Sequence, residues 1–142
     1  MAKLSCLAVC VAALAASACA TNDPPWNGTY ALSTSGDTCH ASDASSIEFA
    51  DNTVIVGYPA AAPLPMTYSV SNIVFDHLHV TFDSAWSYRN SDTSDHSSDV
   101  EHYALTVSPM TMTGTVDGSY AGQYNTQTWS CSATLTVTGT RS

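Results

Sequence analysis

From Trp26 onward the chain is written in short runs of alternating apolar and polar residues. Trp26, Gly28, Tyr30 and Leu32 alternate with Asn27, Thr29, Ala31 and Ser33, the period-two pattern of a strand with one face buried. Ile47 and Phe49 mark a short second strand, Asp51 and Asn52 a turn, and Val54 to Val56 a third strand, so these two form a tight hairpin. Pro59, Pro63 and Pro65 break any hydrogen-bond ladder and predict an extended connection. Met66, Tyr68 and Val70 then alternate with Thr67, Ser69 and Ser71, and Asn72 is predicted to end that strand. After a kink at Asp76 and His77, Leu78, Val80, Phe82, Ser84 and Trp86 share one face while His79, Thr81 and Asp83 take the other. Arg89 to Asp99 holds no apolar residue and reads as a solvated loop. Tyr103, Leu105 and Val107 resume the pattern, Pro109 interrupts it, and Met110, Met112, Gly114 and Val116 continue it. Asp117 and Gly118 give a turn signal, and the polar stretch to Gln127 makes a long loop or leaves room for one more short strand.

The final stretch is the most regular. Cys131, Ala133, Leu135 and Val137 alternate with Ser132, Thr134, Thr136 and Thr138, an apolar face backed by a ladder of hydroxyls. About eight strands at regular spacing with no interior helix predict an all-β fold: a small antiparallel meander barrel, with a β-sandwich as the alternative. Pairing Leu78–Tyr88 with Val100–Val107 sets Trp86 opposite Tyr103 and Phe82 near Val107. A barrel of this size is just wide enough for such aromatics to fill a core or line a pocket. Tyr30, Phe82, Trp86 and Tyr103 are therefore the candidate ligand-lining residues.

Residues 1–20 follow a different logic. Lys3, an apolar run from Leu4 to Ala16 and the small residues Ser17, Ala18, Cys19 and Ala20 form an export signal, too short to span a bilayer comfortably. Thr21 to Pro25 is a polar tether, and residues 26–142 are one domain. Ala16, Ser17, Ala18 and Cys19 resemble the lipobox of bacterial lipoproteins, with Ala16 where that family usually has a larger aliphatic residue. The resemblance implies acylation of Cys19 and a membrane anchor at the cell envelope, facing periplasm or surface at the outer membrane. Ala18-Cys19-Ala20 also satisfies an ordinary A-x-A site, with cleavage after Ala20.

Of five cysteines, Cys6 and Cys10 leave with the signal and Cys19 is acylated or removed. Cys39 and Cys131 remain, and an even pair in an oxidising compartment predicts a disulfide joining the first and last strand regions. Such a staple favours a barrel, in which the first and last strands lie side by side. Gly28, Thr29 and Tyr30 near the start, with Gly139, Thr140 and Arg141 at the end, loosely resemble the lipocalin or calycin signature. Tyr30 stands where that family has tryptophan, and Trp26 precedes the glycine instead of following it. The resemblance implies a cation–π contact closing Tyr30 against Arg141, and an apolar or amphipathic ligand inside the barrel.

The formal net charge is −9, and Lys3, Arg89 and Arg141 are the only cationic side chains. Binding to nucleic acid through a basic patch is excluded on that ground. Asn90, Asp92, Ser94, His96, Ser98 and Glu101 have the ligand spacing of a calcium loop, but Asp95 replaces the required glycine and no helices flank it. His77 and His79, two apart, would project from one strand face as in some zinc sites. Neither pattern amounts to a metal site. No serine lies in a G-x-S-x-G elbow, and no catalytic residue or cofactor is expected. The expectation is a non-enzymatic envelope protein that binds a small apolar or amphipathic ligand. The alternative is an interaction or inhibitor protein acting through its loops, Arg89–Asp99 above all, on another envelope protein.

Overall fold

The computed structural model describes residues 26–36, 39, 44–58 and 66–142. The expected leader, the tether and Cys19 lie outside them. Eight strands follow in order: β1 (Gly28–Ser35), β2 (Ser46–Ala50), β3 (Thr53–Gly57), β4 (Met66–Asp76), β5 (His79–Arg89), β6 (His96–Val107), β7 (Thr111–Tyr124) and β8 (Gln127–Arg141). No helix occurs among the described residues. All pairings are antiparallel and the strand order is β3-β2-β1-β8-β7-β6-β5-β4. The sheet is thus an up-and-down meander rolled into a nearly closed barrel, not a sandwich. Its first and last strands meet, Tyr30 opposite Arg141 and Ser35 opposite Thr136. The remaining gap lies between β3 and β4, where the Val56 amide donates to the Tyr68 hydroxyl at 3.0 Å.

Tight turns close one end. Asp51 and Asn52 both have positive φ, as the twist of a two-residue hairpin requires. Asp76 pairs with His79 around His77 and Leu78, so Leu78 lies exposed in a turn instead of heading the β5 face. At this end Trp26 stacks on Phe75, centroids 5.7 Å apart, and Arg141 donates to the carbonyls of Asn27 and Pro109. Gly28 permits this, because a Cβ there would fall on the Arg141 side chain. Tyr30 is fully buried and donates to the Ser108 carbonyl at 2.8 Å. The guanidinium that was expected over its ring is held by the two carbonyls.

Three boundaries differ from the sequence expectation. Asn72 does not end β4: it sits at φ 54° in a register shift between Ser71 and Val74, and the strand runs on to Asp76. Asp117 and Gly118 are not a turn but the middle of β7, which reaches Tyr124 before a two-residue turn at Asn125 and Thr126, both at positive φ. Strand β6 begins at His96, so the Ser/Asp loop is shorter than expected and the β5–β6 register moves. Phe82 opposes Tyr103, and Trp86 opposes Asp99. The expected disulfide is present, Cys39 to Cys131, with Cα atoms 5.8 Å apart.

Candidate functional site at the polar end of the barrel

Inside the barrel the side chains change character along the strands. Toward the tight-turn end the interior is apolar: Ile47, Phe49, Val80, Leu105, Val107, Met112 and Val137 are all buried. Toward the opposite end, β6 turns two carboxyls inward, because Asp99 and Glu101 share the parity of Tyr103, Leu105 and Val107. Both acids are only 3% exposed.

Glu101 is ringed by tyrosines. Its Oε2 accepts from Tyr103 at 2.8 Å and from Tyr58 at 3.0 Å, and its Oε1 accepts from Tyr120 at 3.2 Å. The Tyr58 hydroxyl also lies 3.0 Å from Ser84 Oγ. Burial, reinforced by the Glu101 charge, holds the Tyr58 and Tyr103 hydroxyls well above the usual phenol range, so they remain donors at any working pH. Tyr120 reaches Glu101 because Gly118, two residues earlier on the same face, leaves the space its ring occupies.

Asp99 is placed differently. It opposes Trp86 on β5 and Tyr120 on β7. Its Oδ2 is buried with no hydrogen-bond partner, and so is the Trp86 indole Nε1. Burial first and the neighbouring Glu101 charge second push the Asp99 carboxyl up to about 7; the facing indole opposes that shift without reaching hydrogen-bond geometry. Trp86 in turn meets Tyr58 edge-on at 6.4 Å, and Tyr58 meets Tyr68 edge-on at 5.8 Å. Three aromatic rings and a carboxyl thus converge where β3, β4, β5 and β6 come together.

The four expected ligand-lining residues separate. Phe82 and Tyr103 stack at 4.5 Å and are fully buried, forming a floor beneath the carboxyls. Tyr30 belongs to the opposite end, edge-on to Phe49 at 5.8 Å. Only Trp86 stands at the level of Asp99. Sequence reasoning misses Asp99, Glu101, Tyr58, Tyr68 and Tyr120 as a group, since Arg89 to Asp99 reads as loop and nothing in the pattern brings the tyrosines of separate strands to it. The parity of Asp99 and Glu101 with Tyr103 was the signal that could have found them.

The other candidates disperse. Glu101 lies inside the barrel, remote in role from the loop of Asn90 and Asp92, where the Asp92 amide donates to Asn90 Oδ1 at 2.9 Å. His77 is in the β4–β5 turn, so it shares no strand face with His79, which meets Thr106 instead. His102 binds Asp83 on the outer face at 2.6 Å. No group of three or more His, Cys, Asp or Glu side chains that could hold a metal occurs among the described residues. Shallow depressions of about 270 and 470 Å³ run over the β4–β6 and β6–β8 surfaces, between small outward side chains such as Ser87, Ser98, Ser119 and Ser132. They are open to solvent; the first is also bordered by Tyr68, Trp86 and Asp99 and the second by Tyr120, so both reach the edge of the acid cluster. Set against known proteins, the chain matches no family model, no curated protein and no solved structure.

Proposed function

We propose that the protein is an exported, lipid-anchored, non-enzymatic envelope protein whose barrel receives a small amphipathic ligand at its polar end. One observation carries the reading: two carboxyls are buried inside a barrel whose other buried positions, Ser84 apart, are hydrophobic. Burying a carboxyl costs free energy, and a sheet that needed only a core would fill those positions with aliphatic residues. Polar groups grouped above an apolar floor are how small-molecule sites combine affinity with orientation. Phe82 and Tyr103 supply the floor, the Glu101–tyrosine cluster fixes its geometry, and Trp86 reports on it. The rim adds exposed aromatics, Tyr124 at 65% and Trp129 at 44%, suited to the apolar part of an amphiphile.

Titration of the mature protein with single-chain amphiphiles below their micelle concentrations, followed by tryptophan fluorescence, tests the proposal. Saturable binding that Trp86→Phe reduces in amplitude is the expected result. If no amphiphile binds at micromolar concentration, and a variant shortened across Ser91–Asp95 loses a co-purifying envelope protein, the loop-interaction reading takes its place.

A further inference from the structure

We propose that the polar end of the barrel is a subsite for an organic ammonium group, with Asp99 as its counter-ion and Trp86, Tyr58 and Tyr68 as its aromatic walls. The inference rests on the ligand-binding reading above and names the chemistry of the ligand's head.

Three observations point to a cation. First, Asp99 Oδ2 is a buried acceptor, in a residue 3% exposed, that completes no hydrogen bond: the Trp86 indole that faces it stops short of bonding geometry. A buried carboxylate oxygen without a partner is costly, and a bound N–H or N⁺–CH₃ group would relieve it. Second, the chain offers that oxygen no cation. Lys3 lies outside the described residues, Arg141 is committed to Asn27 and Pro109 at the far end, and Arg89 is exposed on the outer parity of β5. The described histidines are no nearer in role: His79 and His102 bond to outer-face partners, His96 to the Ser94 carbonyl, and His77 lies in a turn. Third, the rings around the oxygen are Trp and Tyr, whose faces attract cations. Tyr58 is held edge-on to both Trp86 and Tyr68, so the three rings form a fixed angular wall. A neutral or anionic head would meet the same wall and be repelled by, or indifferent to, the carboxyl.

The groups around Asp99 are Trp86 from β5, Tyr120 from β7, Glu101 from its own strand, Tyr68 from β4 and, from across the gap, Tyr58; none brings a positive charge. Glu101 is already engaged by three phenols. It therefore acts as a second negative charge behind the site.

Binding of decyltrimethylammonium, decyl maltoside and decyl sulfate, which share a tail and differ in head charge, is measured by calorimetry at pH 8 and 150 mM salt. The cationic amphiphile is expected to bind about tenfold or more tightly than the neutral one, and the anionic one least. Asp99→Asn is expected to erase the preference for the cation, whereas Asp92→Asn, an equal change in net charge on the exposed loop, keeps it. Circular dichroism confirms that each variant is folded. Equal binding of cationic and neutral amphiphiles, or a preference that survives Asp99→Asn, overturns the ammonium subsite and leaves carriage standing. Failure of all three amphiphiles to bind overturns both.

Discussion

The carboxyl of Asp99 ties the stability of the barrel to pH, and the sign follows from where its proton goes. Folded, the group titrates near 7, far above the ordinary value of 3.8. Between about pH 4 and pH 7 the folded chain keeps a proton that the unfolded chain gives up. Stability contributed at this site is therefore greatest below the unfolded value, falls as pH rises through that window, and is flat above it. Asp99→Asn should remove this slope, leaving a variant at least as stable as the parent at pH 5 and more stable at pH 8, by roughly 2–3 kcal/mol. Thermal unfolding at the two pH values measures it; parallel pH profiles for parent and variant would sink the idea. A bound ammonium should reverse the effect by favouring the ionised carboxyl. Gly118 is the complementary case, where a missing side chain matters. A Cβ there would collide with the Tyr120 ring and hydroxyl. Gly118→Ala should cost roughly 1–3 kcal/mol in urea unfolding, and much less when Tyr120 is already alanine, because the clash and the Glu101 bond vanish together.

At the scale of elements, what the sequence revealed and what it hid share one cause. Alternation of apolar residues located β1, β2, β3, β5 and β8 because their inward positions are hydrophobic. It found only the Tyr103–Val107 half of β6 and the Met112–Val116 half of β7, and failed in their other halves, where inward positions are Asp99, Glu101, Gly118 and Gly122. Residues that make the polar site are the residues that look like loop. In β4 the difficulty is a phase change: Val70 packs on the core at an even number, Ile73 and Phe75 at odd ones. Only an extra residue reconciles the two, and Asn72 supplies it at φ 54°. Its amide also donates to Asp83 at 2.6 Å; this bond first, and the one from His102 second, hold the Asp83 carboxyl below its usual range. Asn72→Ala should cost roughly 1–2 kcal/mol, since alanine tolerates the left-handed region poorly, while Asn72→Gly should recover most of that loss. Chemical denaturation of the two variants measures it, and equal costs would mean that the side-chain bond, not the backbone, sets the bulge.

Across the whole molecule, β8 holds the barrel together. With fifteen residues it pairs with β7 along one edge and β1 along the other, joining the two ends of the chain. Cys131 faces inward on this strand, opposite Tyr120, and its bond to Cys39 ties the segment after β1 to the same end of the barrel as the acid cluster. The pairing was legible from cysteine arithmetic alone; its position beside Tyr120 was not, because β7 had been broken at Asp117. The two cysteines are 92 residues apart, so the bond closes most of the folded domain into a loop and removes much of the unfolded chain's freedom. Replacing both with serine should cost roughly 2–5 kcal/mol. The β1–β8 hydrogen bonds remain in that variant, so the expected outcome is a folded barrel of lower Tm instead of an unfolded chain. If the loss acts through the unfolded state, tryptophan emission and the tyrosine environment of the folded variant at 20 °C should match the parent. A shifted folded-state spectrum with an unchanged Tm would show the reverse: a bond that shapes the polar end and adds little to stability.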